Sequence, residues 1–290
     1  MELDNHVWKG PAHRGSIVRV DYRTTGPEDE YIHKYVNVYV PYGYDADKPY
    51  NILYLMHGGG GNPDTWLDST MVKNVLDQSF DWERCKPFLV AFPSFYLGPS
   101  HDHRTNGVNG EWEYAQVMHF MKEFEEDVMP AVESRFHTCA PHATLEGFKA
   151  SRAHRAFGGF SMGSVTTWEV MMNHLDKVSV FLPISGDVWR FGRFGGSEKC
   201  AETARLMADT VKGFGMTAAD FRIYAGTGTE DIAYPNMFPM LEEMKKYPEV
   251  FAYDEDLTKG NFHCAFEEGA KHNYWEVYQW VWRYLPYFWG

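Results

Sequence analysis

The chain has 290 residues, 44% of them apolar and 17% aromatic, and 40 Asp and Glu against 27 Lys and Arg give it a formal net charge of −13. An acidic chain whose basic residues are scattered lacks the positive stripe that nucleic acid or an anionic membrane requires, so neither is an expected partner. The apolar content supports a sizeable core, and no Pro/Ser-rich linker, low-complexity tract or repeat interrupts it; the expectation is one domain over 1–290, with 1–34 as an N-terminal strand and extension region.

The first residues carry no charged-then-apolar leader pattern, and no apolar run is long enough to cross a bilayer. The chain is therefore expected to be either cytoplasmic or an exported module whose leader has been removed. Residues 35–40 alternate as a half-buried strand should, and residues 41–44 turn the chain. Residues 51–56 form a continuous apolar run ending in four glycines, Gly58 to Gly61, as for a central parallel strand. Residues 88–92, 178–184 and 221–225 read as further buried strands. Helical spacing appears at Val117, Phe120, Phe124 and Val128, where the acidic run 123–127 reads as one solvated helix face. It appears again at Val165, Trp168, Met172 and Leu175, and at Trp275, Tyr278 and Trp282 running toward Pro286. Strands alternating with helices predict an α/β fold, a mostly parallel sheet covered on both faces. Ligands then collect at the carboxyl ends of the strands, where Gly58, Ser161, Asp187 and Asp231 fall.

Cys85, Cys139, Cys200 and Cys264 are far apart and form no C-x-x-C pair, so neither a zinc knuckle nor a disulfide framework is expected, although one incidental disulfide stays open. The two histidines of His101-Asp102-His103 lack further ligands nearby and read as a solvated loop rather than a metal site. No P-loop or dinucleotide fingerprint is present, and no cofactor is expected.

Residues 159–163 spell Gly-Phe-Ser-Met-Gly, a G-x-S-x-G between a short apolar stretch and a run with apolar residues at helical spacing. In that setting the motif is a nucleophile elbow, which lifts a serine hydroxyl above a sheet edge and needs glycines because side chains would crowd the turn. A serine hydroxyl needs a base to take its proton, and the base needs a third group to fix its tautomer. In α/β-hydrolases these follow in the order Ser, Asp or Glu, His. Ser161 is the candidate nucleophile, Asp231 the acid just past the strand 221–225, and His272 the base before the last helix. Glu230 is the alternative acid, and His263 the reserve base. The oxyanion donors are expected to be the N–H of Met162 and that of Gly58 or Gly59.

Residues 51–60, 155–163 and 185–189 together resemble carbohydrate esterase family one, and within it the feruloyl esterase modules attached to bacterial xylanases. The likeness continues through residues 231–234, 259–262 and 285–288, so it covers nearly the whole chain from about Val36. It implies the α/β-hydrolase fold and cofactor-free cleavage of feruloyl esters on plant cell-wall arabinoxylan, with the triad on Ser161, Asp231 and His272. It also implies an aromatic wall at Trp189, with Asp187 beside it in substrate binding, and export to reach such a substrate. Residues 190–204 match nothing in the family and are expected to form a loop near the cleft. Acetylxylan esterases and S-formylglutathione hydrolases share the scaffold and are the alternatives. A non-catalytic carbohydrate-binding module is the alternative of another class.

Overall fold

The computed structural model describes residues 10–98 and 110–289. Its centre is an eight-stranded sheet: β1 (Ser16–Thr25), β2 (Tyr31–Val40), β3 (Ile52–Met56), β4 (Leu89–Phe92), β5 (Arg155–Phe160), β6 (Val180–Ile184), β7 (Arg222–Gly228) and β8 (Phe262–Glu267). They lie in the order β1-β2-β4-β3-β5-β6-β7-β8. β2 pairs antiparallel with both neighbours, and every pair from β4 to β8 is parallel. The helices are α1 (Thr65–Ser69), α2 (Val72–Asp81), α3 (Glu111–Glu123), α4 (Met129–Glu133), α5 (Leu145–Ala150), α6 (Met162–His174), α7 (Gly195–Glu198), α8 (Cys200–Gly213), α9 (Tyr234–Met244) and α10 (Tyr274–Tyr284).

The continuous apolar runs have a simple cause. In β3, Ile52, Tyr54 and Met56 face a core shared with α3, α6, α8 and α9, while Leu53 and Leu55 face a second core built with α2 and α10. A strand covered on both faces has no position left for a polar side chain without a partner. The same cover overturns the half-buried reading of residues 35–40. Val36 to Val40 are all buried, and Asn37 is accommodated by donating to Asp64 Oδ1 at 2.6 Å, Tyr39 by donating to Asp77 Oδ1 at 2.7 Å. β8 was not foreseen, because Phe-His-Cys-Ala-Phe-Glu shows neither an apolar run nor clean alternation.

The acidic run is also corrected. α3 passes into a π-helical turn, Phe124–Val128, and the chain here is not one solvated face. Glu123 is buried, accepting from Tyr22 Oη at 2.5 Å and pairing with Lys34 Nζ at 2.5 Å. Glu125 pairs with His174 and Lys177, which hold its carboxyl down at about 2. All four cysteines are free thiols. Among the described residues, no helix is long and apolar enough to cross a membrane.

Candidate active site

Loops after β3, β5, β6, β7 and β8 meet at the carboxyl edge of the sheet, where an α/β fold places its ligands. The turn after β5 holds Ser161 at φ 58°, ψ −117°, a strained conformation for a residue with a side chain. Its N–H donates to the Ile184 carbonyl at 2.9 Å, which ties the turn to β6. A Cβ on Gly159 would lie 2.5 Å from the Gly163 carbonyl oxygen, and one on Gly163 would lie 2.5 Å from that of Met56. Both glycines are steric requirements, as the motif predicts.

His272 is fixed by the start of α10. Asn273 caps that helix, its side-chain oxygen accepting from Glu276 N–H at 3.1 Å while its amide donates to Glu276 Oε1 at 3.0 Å. The Glu276 carboxylate also accepts the Lys271 N–H, so the residues on either side of His272 are held by one side chain. His272 Nδ1 meets Asp231 Oδ1 at 2.7 Å and Nε2 meets Ser161 Oγ at 2.9 Å. Because a carboxylate only accepts, Nδ1 carries the proton and Nε2 faces the serine hydroxyl as an acceptor. The imidazole packs on Phe160 with ring centroids 4.5 Å apart.

Asp231 is buried, and its Oδ1 also accepts the Ala233 N–H at 2.7 Å; Oδ2 is buried with no partner among the described residues. Glu230 points away, 59% exposed and 3.5 Å from Lys271 Nζ. His263 is not brought to the site. It is buried near the start of β8, stacked on Tyr224 at 5.0 Å, with Nδ1 bonded to the Asp254 carbonyl at 2.8 Å, and burial lowers its pKa.

The glycine run after β3 is stapled rather than loose. His57 Nδ1 donates to the Gly58 carbonyl at 2.7 Å, leaving Nε2 to accept from Ser94 Oγ at 2.8 Å. Gly58 N–H donates to the Tyr274 hydroxyl at 2.6 Å, and Gly60 N–H to that of Tyr96 at 2.9 Å. The Gly59 N–H has no acceptor among the described residues, and Met162, first in α6, has none within its helix. A Cβ on Gly59 would lie 3.4 Å from Met162 Cγ, so these two residues are in contact. Of the two glycines expected here, one amide is engaged and the other is open.

Ser161, Met162 and His272 line a cleft of about 280 Å³ whose wall includes Asp187 and Trp189. Asp187 Oδ1 accepts from Trp189 Nε1 at 3.1 Å and Oδ2 from Gly196 N–H at 2.9 Å, while burial pushes its carboxyl up to about 6. Both oxygens are engaged within the protein, so Asp187 braces the Trp189 wall. Residues 190–204 are only partly loop: they contain α7 and the first turn of α8, and they send Arg193 and Phe194 into the cleft lining. Tyr274, Glu113, Asn236 and Ile232 also border or brace the site and were missed from the sequence. None carries a motif; Ile232, next to Asp231, and Tyr274, two positions past His272, have only a positional cue. The histidines at 101 and 103 lie outside the described residues, and no group of three metal-ligating side chains occurs among those described.

The strand order, the elbow at Ser161 and the converging loops define an α/β-hydrolase. No protein-family model matches the chain. Over 256 residues, 88% of its length, it is 41% identical to endo-1,4-beta-xylanase Y of Acetivibrio thermocellus, and it spans 22% of that protein. A solved feruloyl esterase module from Clostridium thermocellum, a mutant complexed with sinapinate, superposes with a TM-score of 0.85 at 38% identity, covering 100% of this chain and 93% of that one. A ferulic acid esterase of the CE1 family from Anaeromyces mucronatus shares the fold at 18% identity and a TM-score of 0.68, covering 96% of this chain and 91% of that one. The chain belongs to carbohydrate esterase family one, among the feruloyl esterases.

Proposed function

We propose that this chain is a serine esterase that releases feruloyl and related hydroxycinnamoyl groups from plant cell-wall arabinoxylan. The observation that carries the proposal is the hydrogen-bonded series Ser161–His272–Asp231 opening into a cleft walled by Trp189. The likeness to a module solved with sinapinate supports a hydroxycinnamoyl acyl group in that cleft.

In this reading Ser161 Oγ attacks the ester carbonyl carbon while His272 Nε2 takes its proton, and Asp231 stabilises the imidazolium. The oxyanion is held by the Met162 and Gly59 amides, each worth ~3 kcal/mol in the transition state. Gly58 serves the hole indirectly, its amide bound to Tyr274. The C–O bond to the sugar breaks as His272 returns the proton to the departing hydroxyl. Water, deprotonated by the same nitrogen, then cleaves the feruloyl-serine ester and regenerates the Ser161 hydroxyl.

The test is turnover of methyl ferulate beside 4-nitrophenyl acetate by wild type and Ser161→Ala. Ferulate release that falls by ~10⁴-fold or more in the variant is expected, since triad members act as a unit. Acetate release alone would move the function to a deacetylase or general esterase, and turnover of neither would leave a binding module.

A further inference from the structure

The cleft beside Ser161 has a direction. The Gly186 backbone touches the elbow, since a Cβ there would lie 2.6 Å from the Ser161 carbonyl oxygen. From Gly186 the chain runs through Asp187, which holds the Nε1 edge of the Trp189 indole. The opposite, benzo edge of that ring abuts Gly110: a Cβ there would lie 2.7 Å from Trp189 Cζ3 and 2.9 Å from Cη2. The indole therefore lies between the Gly186–Asp187 segment beside the elbow and the first residues of α3, lining the same cleft as Ser161.

Glu113 lies in the first turn of α3 and lines the same cleft as Ser161 and Trp189. It is half-buried, and its carboxylate makes no side-chain hydrogen bond or ion pair with any other described residue, although its charge is felt by the Tyr96 phenol. Its neighbour Tyr114 is tied down, donating to Glu169 Oε1 at 2.8 Å, and Glu169 in turn pairs with Arg190 Nη2 at 2.7 Å. The turn bearing Glu113 is thus held in place, while its own carboxylate lines the cleft without a hydrogen-bond or ion-pair partner among the described residues.

We propose that Glu113 is a specificity-determining residue that accepts a hydrogen bond from the phenolic hydroxyl of the acyl group. The proposal rests on the hydroxycinnamoyl reading above. With the carbonyl at Ser161 and the ring along Trp189, the para position of the acyl ring points to the start of α3. A carboxylate only accepts hydrogen bonds, and a phenol is a good donor. Asp187, the other carboxylate of the cleft wall, already uses both oxygens inside the protein.

The experiment compares kcat/KM for methyl ferulate with that for methyl 3,4-dimethoxycinnamate, whose para oxygen cannot donate, in wild type, Glu113→Gln and Glu113→Leu. Wild type is expected to favour ferulate by about tenfold or more, because an acceptor left unpaired in a desolvated site penalises the capped substrate. That ratio should shrink in Glu113→Gln and fall to near one in Glu113→Leu. A general loss of packing lowers both substrates together and leaves the ratio where it was, which would overturn the proposal. Wild type that hydrolyses 4-nitrophenyl acetate but neither cinnamate would instead sink the hydroxycinnamoyl reading itself.

Discussion

Asp231 and Glu230 are adjacent and carry the same charge, yet only the first meets His272. Asp231→Asn is expected to lower kcat by ~10³- to 10⁴-fold, since an amide no longer stabilises the imidazolium or fixes its tautomer. Glu230→Gln removes an exposed pair and should stay within about twofold of wild type; equal losses in steady-state assays would reject this assignment. Tyr274 is a second case. Tyr274→Phe leaves the Gly58 N–H without its acceptor, at an expected cost of ~1–3 kcal/mol in denaturant titration, and it loosens the loop that carries Gly59. Asp187 introduces a pH dependence. Its carboxyl is raised by burial from 3.8 to about 6, so within that interval the folded state holds a proton that the unfolded state has lost. Its contribution to stability is full below the lower value and is lost as pH rises through the upper one. The stability of wild type relative to Asp187→Asn should therefore fall across that window in urea melts, and a pH-independent difference would refute it.

The elbow and the start of α10 are the two elements that set the Ser161–His272–Asp231 geometry. Gly163→Ala places a methyl 2.5 Å from the Met56 carbonyl oxygen, and backbone cannot rotate away as a side chain can. The expected result is a protein that melts well below wild type and has lost esterase activity; a fully stable, active variant would mean that β3 and α6 can separate. Asn273→Ala removes the cap of α10, with an expected cost of ~1 kcal/mol. Because Asn273 directly follows His272, kcat should fall further than so small a stability loss explains.

Across the whole molecule the sheet is pinned at the end remote from the site by one buried cation. Arg155, the first residue of β5, donates to Glu133 through Nε at 2.7 Å and Nη2 at 2.8 Å, to the Phe148 and Lys177 carbonyls at 3.0 and 2.6 Å, and to Ser151 Oγ at 2.9 Å. Glu133 also accepts from Tyr54 Oη and Thr138 Oγ1, both at 2.9 Å. With every guanidinium donor used, β5, the strand that leads into Ser161, is locked to α4 and α5. Arg155→Met alone is expected to cost ~3–5 kcal/mol, because it strands a buried carboxylate. Combining it with Glu133→Leu should recover part of that loss in thermal melts; a double variant worse than the single one would mean that the network stabilises the fold beyond relieving its own desolvation.

Apolar runs marked β3, β4, β6 and β7, and G-x-S-x-G marked the elbow, because burial on two faces and the crowding of a tight turn act on residues close in sequence. Chain order together with position past a strand end and before the last helix points to Ser161, to Asp231 or Glu230, and to His272 as the group to watch. What only the tertiary structure decided were choices between chemically equal neighbours: Asp231 or Glu230 against His272, Gly58 or Gly59 with an open amide, and an acidic run that is half buried rather than solvated. Such choices turn on the path of loops closed by partners 41 and 111 residues away in the chain. A side chain's type is written locally, but the direction it faces is set by whatever the rest of the fold packs against it.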